Sequence, residues 1–164
     1  MIVIGVMGGG TGSSKTLEDA YQLGRLIAEQ GWVLLNGGRN AGVMEASAQG
    51  AKQAGGLTVG VLPDAGPEHA SAFIDIPVCT GMGSARNAIN VLSSRVVVAC
   101  AGGMGTISEV ALAIKSQRPV VLLNFDPGHA ITQNASPALL TCVKTPEQAI
   151  EKIKLCLNGV PWAP

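Results

Sequence analysis

Short apolar runs alternate with helix-forming segments along the chain, and this alternation limits the possible folds more than any other feature. Continuous apolar runs are typical of parallel strands that helices cover on both faces. The segments between the runs carry apolar residues at helical spacing, as in residues 16–30. The order predicts βαβ units, and hence an α/β, Rossmann-like fold with a mainly parallel sheet and helices on both faces. The predicted strands are residues 2–7, 32–36, 57–62, 74–79, 95–100, 119–124 and 139–143.

The size and composition of the chain indicate one domain in a larger assembly. A length of 164 residues is usual for one domain, so we expect a single Rossmann-like domain over residues 1–164. Hydrophobic residues make up 47% of the chain and charged residues only 13%. A surface so poor in charge is often covered by another subunit, so we expect a homodimer or homotetramer. The helical segments 84–94 and 105–116, which are rich in small and apolar residues, are the candidate dimer face.

Charge, aromatic content and cysteine spacing argue against several partners. Eleven basic and eleven acidic residues cancel, so no net field attracts nucleic acid or an anionic membrane. Two Trp, one Tyr and two Phe residues are too few to form a stacking platform for bases. No apolar run approaches the ~20 residues that span a bilayer. The cysteines form no CxxC pair, so we expect no metal site and a reduced, cytoplasmic location.

Four glycine-containing loops each lie between a predicted strand and a predicted helix: residues 8–15, 37–42, 81–87 and 101–106. In an open parallel sheet, such loops gather beyond the carboxyl ends of the strands, where ligands bind. Glycine lets backbone N–H groups approach a ligand oxygen closely, and a helix that begins there attracts an anion. The loops therefore predict one shared site for a phosphate-bearing small molecule.

The first loop does not match the common nucleotide-binding motifs. Ser13 stands where the GxGxxG fingerprint of dinucleotide-binding proteins has its last glycine, and the second predicted strand ends in Asn36 instead of an acidic residue. Lys15 follows two serines, so the GxxxxGK[ST] motif of ATP-binding loops is also missing. We therefore expect neither NAD nor ATP as a cofactor.

Two glycine motifs with an arginine between them resemble a known family signature. The sequence GGRNAGVM stands at residues 37–44, GGMGTISE at residues 102–109, and Arg86 between them. Their order and separation resemble the superfamily of the "lonely guy" cytokinin-activating phosphoribohydrolases, also described as lysine decarboxylase-like proteins. The resemblance extends over nearly the whole chain. Within that superfamily, the compact size, the GGRNAGVM loop and the segment GSARNAIN at residues 83–90 are most similar to the molybdenum cofactor carrier proteins.

The narrower resemblance implies binding, protection and delivery of the molybdenum cofactor, a pyranopterin with a terminal phosphate, to acceptor molybdoenzymes. The glycine loops would hold the phosphate, and Arg39, Asn40, Ser84 and Asn87 would serve the pterin end. A carrier of this kind needs no catalytic residue. The candidate ligand-binding residues are Gly8, Gly9, Gly10, Thr11, Gly37, Gly38, Arg39, Asn40, Gly81, Ser84, Arg86, Asn87, Gly102, Gly103, Met104, Gly105, Thr106 and Glu109.

The wider resemblance leaves two other functions open. A phosphoribohydrolase would cleave a nucleoside 5'-monophosphate with Arg86 and Glu109, the latter expected in the first turn of its helix. The hydrolase motif typically has a lysine after the arginine, and Asn87 stands there instead. This difference removes a cation and favours the carrier. A nucleic-acid-binding module is the third possibility, since related domains occur in DNA-processing proteins, but the balanced charge and scarce aromatics oppose it.

Overall fold

The computed structural model describes residues 1–159, and within them seven strands form one sheet. Every neighbouring pair of strands is parallel. The predicted α/β, Rossmann-like fold is therefore confirmed. The strands are β1 (Val3–Met7), β2 (Val33–Asn36), β3 (Thr58–Leu62), β4 (Ile76–Cys79), β5 (Val96–Ala99), β6 (Val120–Leu123) and β7 (Leu140–Val143). Their order across the sheet is β4-β3-β2-β1-β5-β6-β7.

Helices cover both faces of the sheet because side chains of a strand alternate between the faces. In β5, Val96 and Val98 join the core beneath the helices of residues 14–29, 42–53 and 146–159, whereas Val97 and Ala99 join the core beneath those of residues 87–92 and 104–115. The βαβ connections place helices on both faces of the sheet, and these helices cover the core on each face. The helices are α1 (Ser14–Glu29), α2 (Gly42–Gln53), α3 (Asn87–Leu92), α4 (Met104–Lys115), α5 (His129–Thr132) and α6 (Pro146–Gly159), with a 3-10 turn at Gly83–Arg86.

Helices α1 and α2 cross with their backbones in direct contact. A Cβ added at Gly24 would overlap the carbonyl oxygen of Ser47, and one added at Gly50 would overlap the carbonyl oxygen of Tyr21. Only glycine permits this approach. The crossing holds the start of α2 beside the first glycine loop, where the N–H of Val43 donates a hydrogen bond to the Gly9 carbonyl at 2.9 Å.

All seven strands share one sheet, but a single domain over residues 1–164 stays a prediction, and residues 160–164 lie outside the described part of the chain. Within residues 1–159, no helix has the length and apolar character needed to cross a membrane.

Candidate ligand-binding site

The candidate site lies where the order of the strands reverses, between β1 and β5. The chain builds outward from β1 to β4 in one direction and from β5 to β7 in the other. The loops that follow β1 and β5 therefore turn to opposite faces and leave a crevice at the carboxyl ends of the strands. A cavity of about 180 Å³ occupies this crevice. It is lined by Val6, Met7, Gly8, Gly9, Gly10, Gly37, Met44, Arg86, Asn87, Gly103, Gly105, Thr106 and Glu109.

Glycines of the first and fourth loops leave room for a ligand beside the backbone. A Cβ added at Gly10, Gly103 or Gly105 would meet no atom of residues 1–159 within 4 Å. Helix α4 begins directly after Gly103, and this N-cap residue has no side chain to cap the first N–H groups. Uncapped N–H groups and the helix dipole together favour an anion at this position. The cavity therefore offers a phosphate a set of backbone donors.

Arg86 and Glu109 face each other inside the cavity. Nη1 of Arg86 lies 3.8 Å from Oε1 of Glu109, and the two side chains are only 13% and 8% exposed. Gly37 makes room for the arginine, since a Cβ there would lie 2.5 Å from Nη1. Nε of Arg86 is buried and has no hydrogen-bond partner among the described residues. The pair is close enough for attraction but too far apart for a hydrogen bond.

Burial dominates the electrostatics of both groups. It raises the pKa of Glu109, although a hydrogen bond from Asn90 and the charge of Arg86 act in the opposite direction. It lowers the pKa of Arg86, opposed chiefly by the charge of Glu109. Both charges are thus incompletely compensated within the described residues, a condition typical of sites that bind or transform a polar ligand.

The position of Glu109 in its helix differs from the sequence-based expectation. Helix α4 begins at Met104, so Glu109 stands in the second turn and the predicted first-turn position is wrong. The helix dipole, which acts within the first turn, is therefore not what holds the carboxylate. Its partner is Asn90, whose Nδ2 donates a hydrogen bond to Oε1 at 2.7 Å.

Asn87 is tied to the first turns of α4. Its Nδ2 donates to Oγ of Ser108 at 2.8 Å and lies 3.4 Å from the carbonyl oxygen of Gly105. Oγ of Ser108 in turn donates to the Gly105 carbonyl at 2.7 Å. The residue is buried, at 7% exposure, and brings no charge to the cavity.

A larger groove of about 430 Å³ adjoins the cavity. It shares Gly10, Met44, Arg86, Asn87 and Gly105 with the cavity, and adds residues such as Arg39 and Ser84. The guanidinium of Arg39 binds Asp64, with Nη2 at 2.8 Å from Oδ1 and Nε at 3.2 Å from Oδ2. Part of its charge is therefore already neutralised.

The structure places the predicted site residues in three groups. The cavity holds Gly8, Gly9, Gly10, Gly37, Arg86, Asn87, Gly103, Gly105, Thr106 and Glu109, and the groove holds Arg39 and Ser84. Neither is lined by Thr11, Gly38, Asn40, Gly81, Gly102 or Met104. The side chain of Met104 is 78% exposed, and the N–H of Asn40 donates to the carbonyl of His69 at 3.1 Å. A ligand-binding role for any of these residues stays a prediction.

Sequence reasoning missed Asn90 and Ser108, the two residues that orient the polar groups of the cavity. Asn90 lies one helical turn after Asn87 on α3, and Ser108 directly precedes Glu109 on α4. The spacing of the two asparagines was the available signal, because residues three apart share a helix face.

The comparisons with known proteins agree with this architecture. Residues 1–150 match the model of the SLOG cluster4 family. The structure of the molybdenum cofactor binding protein from the phototrophic bacterium Rippkaea orientalis is 52% identical, with a TM-score of 0.91 over 95% of this chain and 97% of that chain. The Moco carrier protein from Chlamydomonas reinhardtii is 45% identical, with a TM-score of 0.89 over 97% of this chain and 99% of that chain. The resemblance to molybdenum cofactor carriers is confirmed.

Two relatives extend the comparison. An uncharacterized protein of Archaeoglobus fulgidus is 49% identical over 159 residues, which cover 97% of each chain. The cytokinin riboside 5'-monophosphate phosphoribohydrolase of Mycobacterium tuberculosis is 34% identical over 99 residues, or 59% of this chain and 53% of that protein. Because the family model matches nearly the full length, this chain belongs to the SLOG cluster4 family.

Proposed function

We propose that this protein binds the molybdenum cofactor and delivers it to acceptor molybdoenzymes without changing it chemically. The observation that carries the proposal is the similarity to a molybdenum cofactor binding protein and to a Moco carrier protein, at 52% and 45% identity over almost the whole chain. The cavity between β1 and β5 supplies the place at which such a ligand would bind.

The groups that line the cavity suit a phosphorylated ligand. The open space beside Gly10, Gly103 and Gly105 and the uncapped start of α4 suit the terminal phosphate. The rest of the cofactor would extend from there toward Arg86, and Met44, which lines both the cavity and the groove, offers an apolar, polarizable surface to a ring. Polar donors at one end and a mixed wall at the other match a ligand with a phosphate and a heterocycle.

A phosphoribohydrolase remains the second candidate because Arg86 and Glu109 stand together in the cavity, 3.8 Å apart. A buried carboxyl group beside an arginine is the pair that such a reaction would use. The similarity to the Mycobacterium tuberculosis hydrolase covers 59% of this chain, however, whereas the similarity to the carriers covers at least 95%. Asn87 also provides no cation beside Arg86. The carrier function therefore has the stronger support.

The test combines transfer and hydrolysis assays on the same preparation. The protein is loaded with molybdenum cofactor and mixed with a cofactor-free acceptor molybdoenzyme, whose recovered activity measures delivery. In parallel, the protein is incubated with AMP and with a cytokinin riboside monophosphate, and free base is measured, with Glu109→Ala as the control. Delivery without base release supports the carrier. Base release that Glu109→Ala abolishes, without delivery, establishes the hydrolase instead.

We further propose a homo-oligomer in the cytoplasm. Leu92 on α3 is 52% exposed and Met104 at the start of α4 is 78% exposed, so the predicted dimer face carries apolar side chains that a second copy would cover. The free cysteines fit a reduced compartment. Light scattering of the eluting protein measures the mass, and Leu92→Glu is expected to shift the protein toward the monomer.

A further inference from the structure

We infer that the part of the cavity lined by Arg86, Asn87 and Glu109 recognises the aminopyrimidinone edge of a pterin, with Arg86 donating hydrogen bonds and Glu109 and Asn87 accepting them. This inference rests on the proposed function and assigns one end of the ligand to particular side chains. The edge in question presents a carbonyl oxygen, then a ring N–H, then an exocyclic amino group. A complementary protein surface therefore presents one hydrogen-bond donor followed by two acceptors.

The hydrogen bonds around Asn87 fix which end of its carboxamide is free. The single proton of the Ser108 hydroxyl is used by the Gly105 carbonyl, at 2.7 Å, so Oγ can only accept from Asn87. Nδ2 of Asn87 therefore faces two acceptors, and a flipped amide would place an oxygen against both. No described residue donates to Oδ1. The group that Asn87 leaves for a ligand is thus an acceptor.

Glu109 also keeps an acceptor for the ligand. The amide of Asn90 donates to Oε1, and the distance of 3.8 Å to Arg86 is too long for a hydrogen bond. Within residues 1–159, Oε2 accepts no hydrogen bond, although the side chain is only 8% exposed. A buried carboxylate with an empty oxygen gains from an N–H donor, and burial already raises its pKa. The ring N–H and the amino group of a pterin supply such donors.

Arg86 completes the pattern as the donor. Its Nε is buried without an acceptor among the described residues, and its Nη1 makes no hydrogen bond to Glu109. The guanidinium has no acceptor role, so the carbonyl oxygen of the aminopyrimidinone edge is its natural partner. A phosphate would be repelled by the carboxylate of Glu109, which places the phosphate at the glycine end of the cavity instead.

Guanine and hypoxanthine nucleotides test this assignment with stable probes. GMP has the same edge as a pterin, whereas IMP lacks only the exocyclic amino group. Calorimetric titration of the wild-type protein is expected to show GMP binding about tenfold more tightly than IMP, because a hydrogen bond to a charged or buried acceptor is lost. The glutamine of Glu109→Gln can still accept the hydrogen bond from Asn90, but an amide NH₂ group replaces the second carboxylate oxygen. The ratio of the GMP and IMP affinities should therefore fall to about threefold or less. Glu151→Gln, the same change on exposed α6, should leave the ratio unchanged.

The outcomes separate the inference from the carrier function. Cofactor uptake is measured on the same wild-type protein, and its failure counts against the carrier. Normal uptake with equal affinities for GMP and IMP, or with no binding of either, overturns the edge recognition alone. This wild-type comparison needs no variant, so it holds even if Glu109→Gln is poorly folded. A wild-type preference that persists unchanged in folded Glu109→Gln also contradicts the assignment.

Discussion

Replacing Gly105 by alanine is expected to separate the stability of this protein from its ligand binding. Gly105 lies within α4, its φ is not positive, and a Cβ there would meet no atom of the described residues within 4 Å. Alanine is favoured over glycine in a helix interior by up to ~1 kcal/mol, and less near the end of a helix. A gain of ~0.5 kcal/mol raises the Tm of a domain of this size by roughly 1–2 °C.

The same methyl group would occupy ligand space. Gly105 lines both the cavity and the groove, and a methyl group fills about the volume of a water molecule, ~30 Å³. This is about one sixth of the 180 Å³ cavity, at the place proposed for the phosphate. We expect the affinity for the molybdenum cofactor to fall at least ~10-fold, a loss of ~1.4 kcal/mol.

Thermal unfolding and equilibrium binding are measured side by side for Gly105→Ala. The control is Gly159→Ala, which makes the same change in open space at the end of α6 and should leave the affinity unchanged. Unchanged affinity in Gly105→Ala would refute the placement of the phosphate at the start of α4. A drop in Tm would show that the space beside this glycine is not open.

Three further expectations concern stability, pH and thiol reactivity. Gly24→Ala should lower the free energy of unfolding by ~1–3 kcal/mol, because the added Cβ would overlap the Ser47 carbonyl. A denaturation midpoint equal to that of the wild type would exclude the close crossing of α1 and α2. Burial raises the pKa of Glu109 in the folded protein above its value in the unfolded chain. The free energy of unfolding therefore falls as the pH rises from the ordinary glutamate pKa of about 4.3 to the raised pKa, and ionisation of Glu109 has no cost below that range. Glu109→Gln should therefore have a higher free energy of unfolding than the wild type at neutral pH, and the difference should shrink as the pH is lowered. Urea titrations at several pH values measure this difference, and the absence of the trend would argue against a buried carboxylate. Cys100 is fully buried with its pKa raised to about 12, so iodoacetamide at pH 8 should modify exposed Cys142 and spare Cys100, as peptide mass analysis can verify.

The fold was predictable because its signals are local. Apolar runs such as that of β5, buried on both faces, can be recognised without knowing their neighbours. The glycine loops likewise mark the carboxyl end of the sheet, since each follows a strand. The approach of α1 and α2 was not predictable, because Gly24 and Gly50 become necessary only when the two helices meet.

The detailed site was less predictable because it depends on where each loop backbone turns. Asn40 and Arg86 both stand in glycine-rich segments, yet only Arg86 reaches the cavity. The backbone N–H of Asn40 instead donates a hydrogen bond to the carbonyl oxygen of His69. The freedom of the Asn87 oxygen depends on a hydroxyl proton at Ser108, twenty-one residues away in the chain. Such pairings arise from packing between α3 and α4 and leave no periodic trace in the sequence.

The uptake of molybdenum cofactor by the purified protein tests the proposed function most directly. Cofactor released from a molybdoenzyme is mixed with the protein under anaerobic conditions, and free ligand is removed by gel filtration. The molybdenum and the pterin in the protein fraction are then quantified. Both are expected to elute with the protein in equal amounts, and Gly105→Ala is expected to retain much less of each. Elution of the protein without pterin, under conditions in which an authentic carrier retains it, would contradict the proposed function.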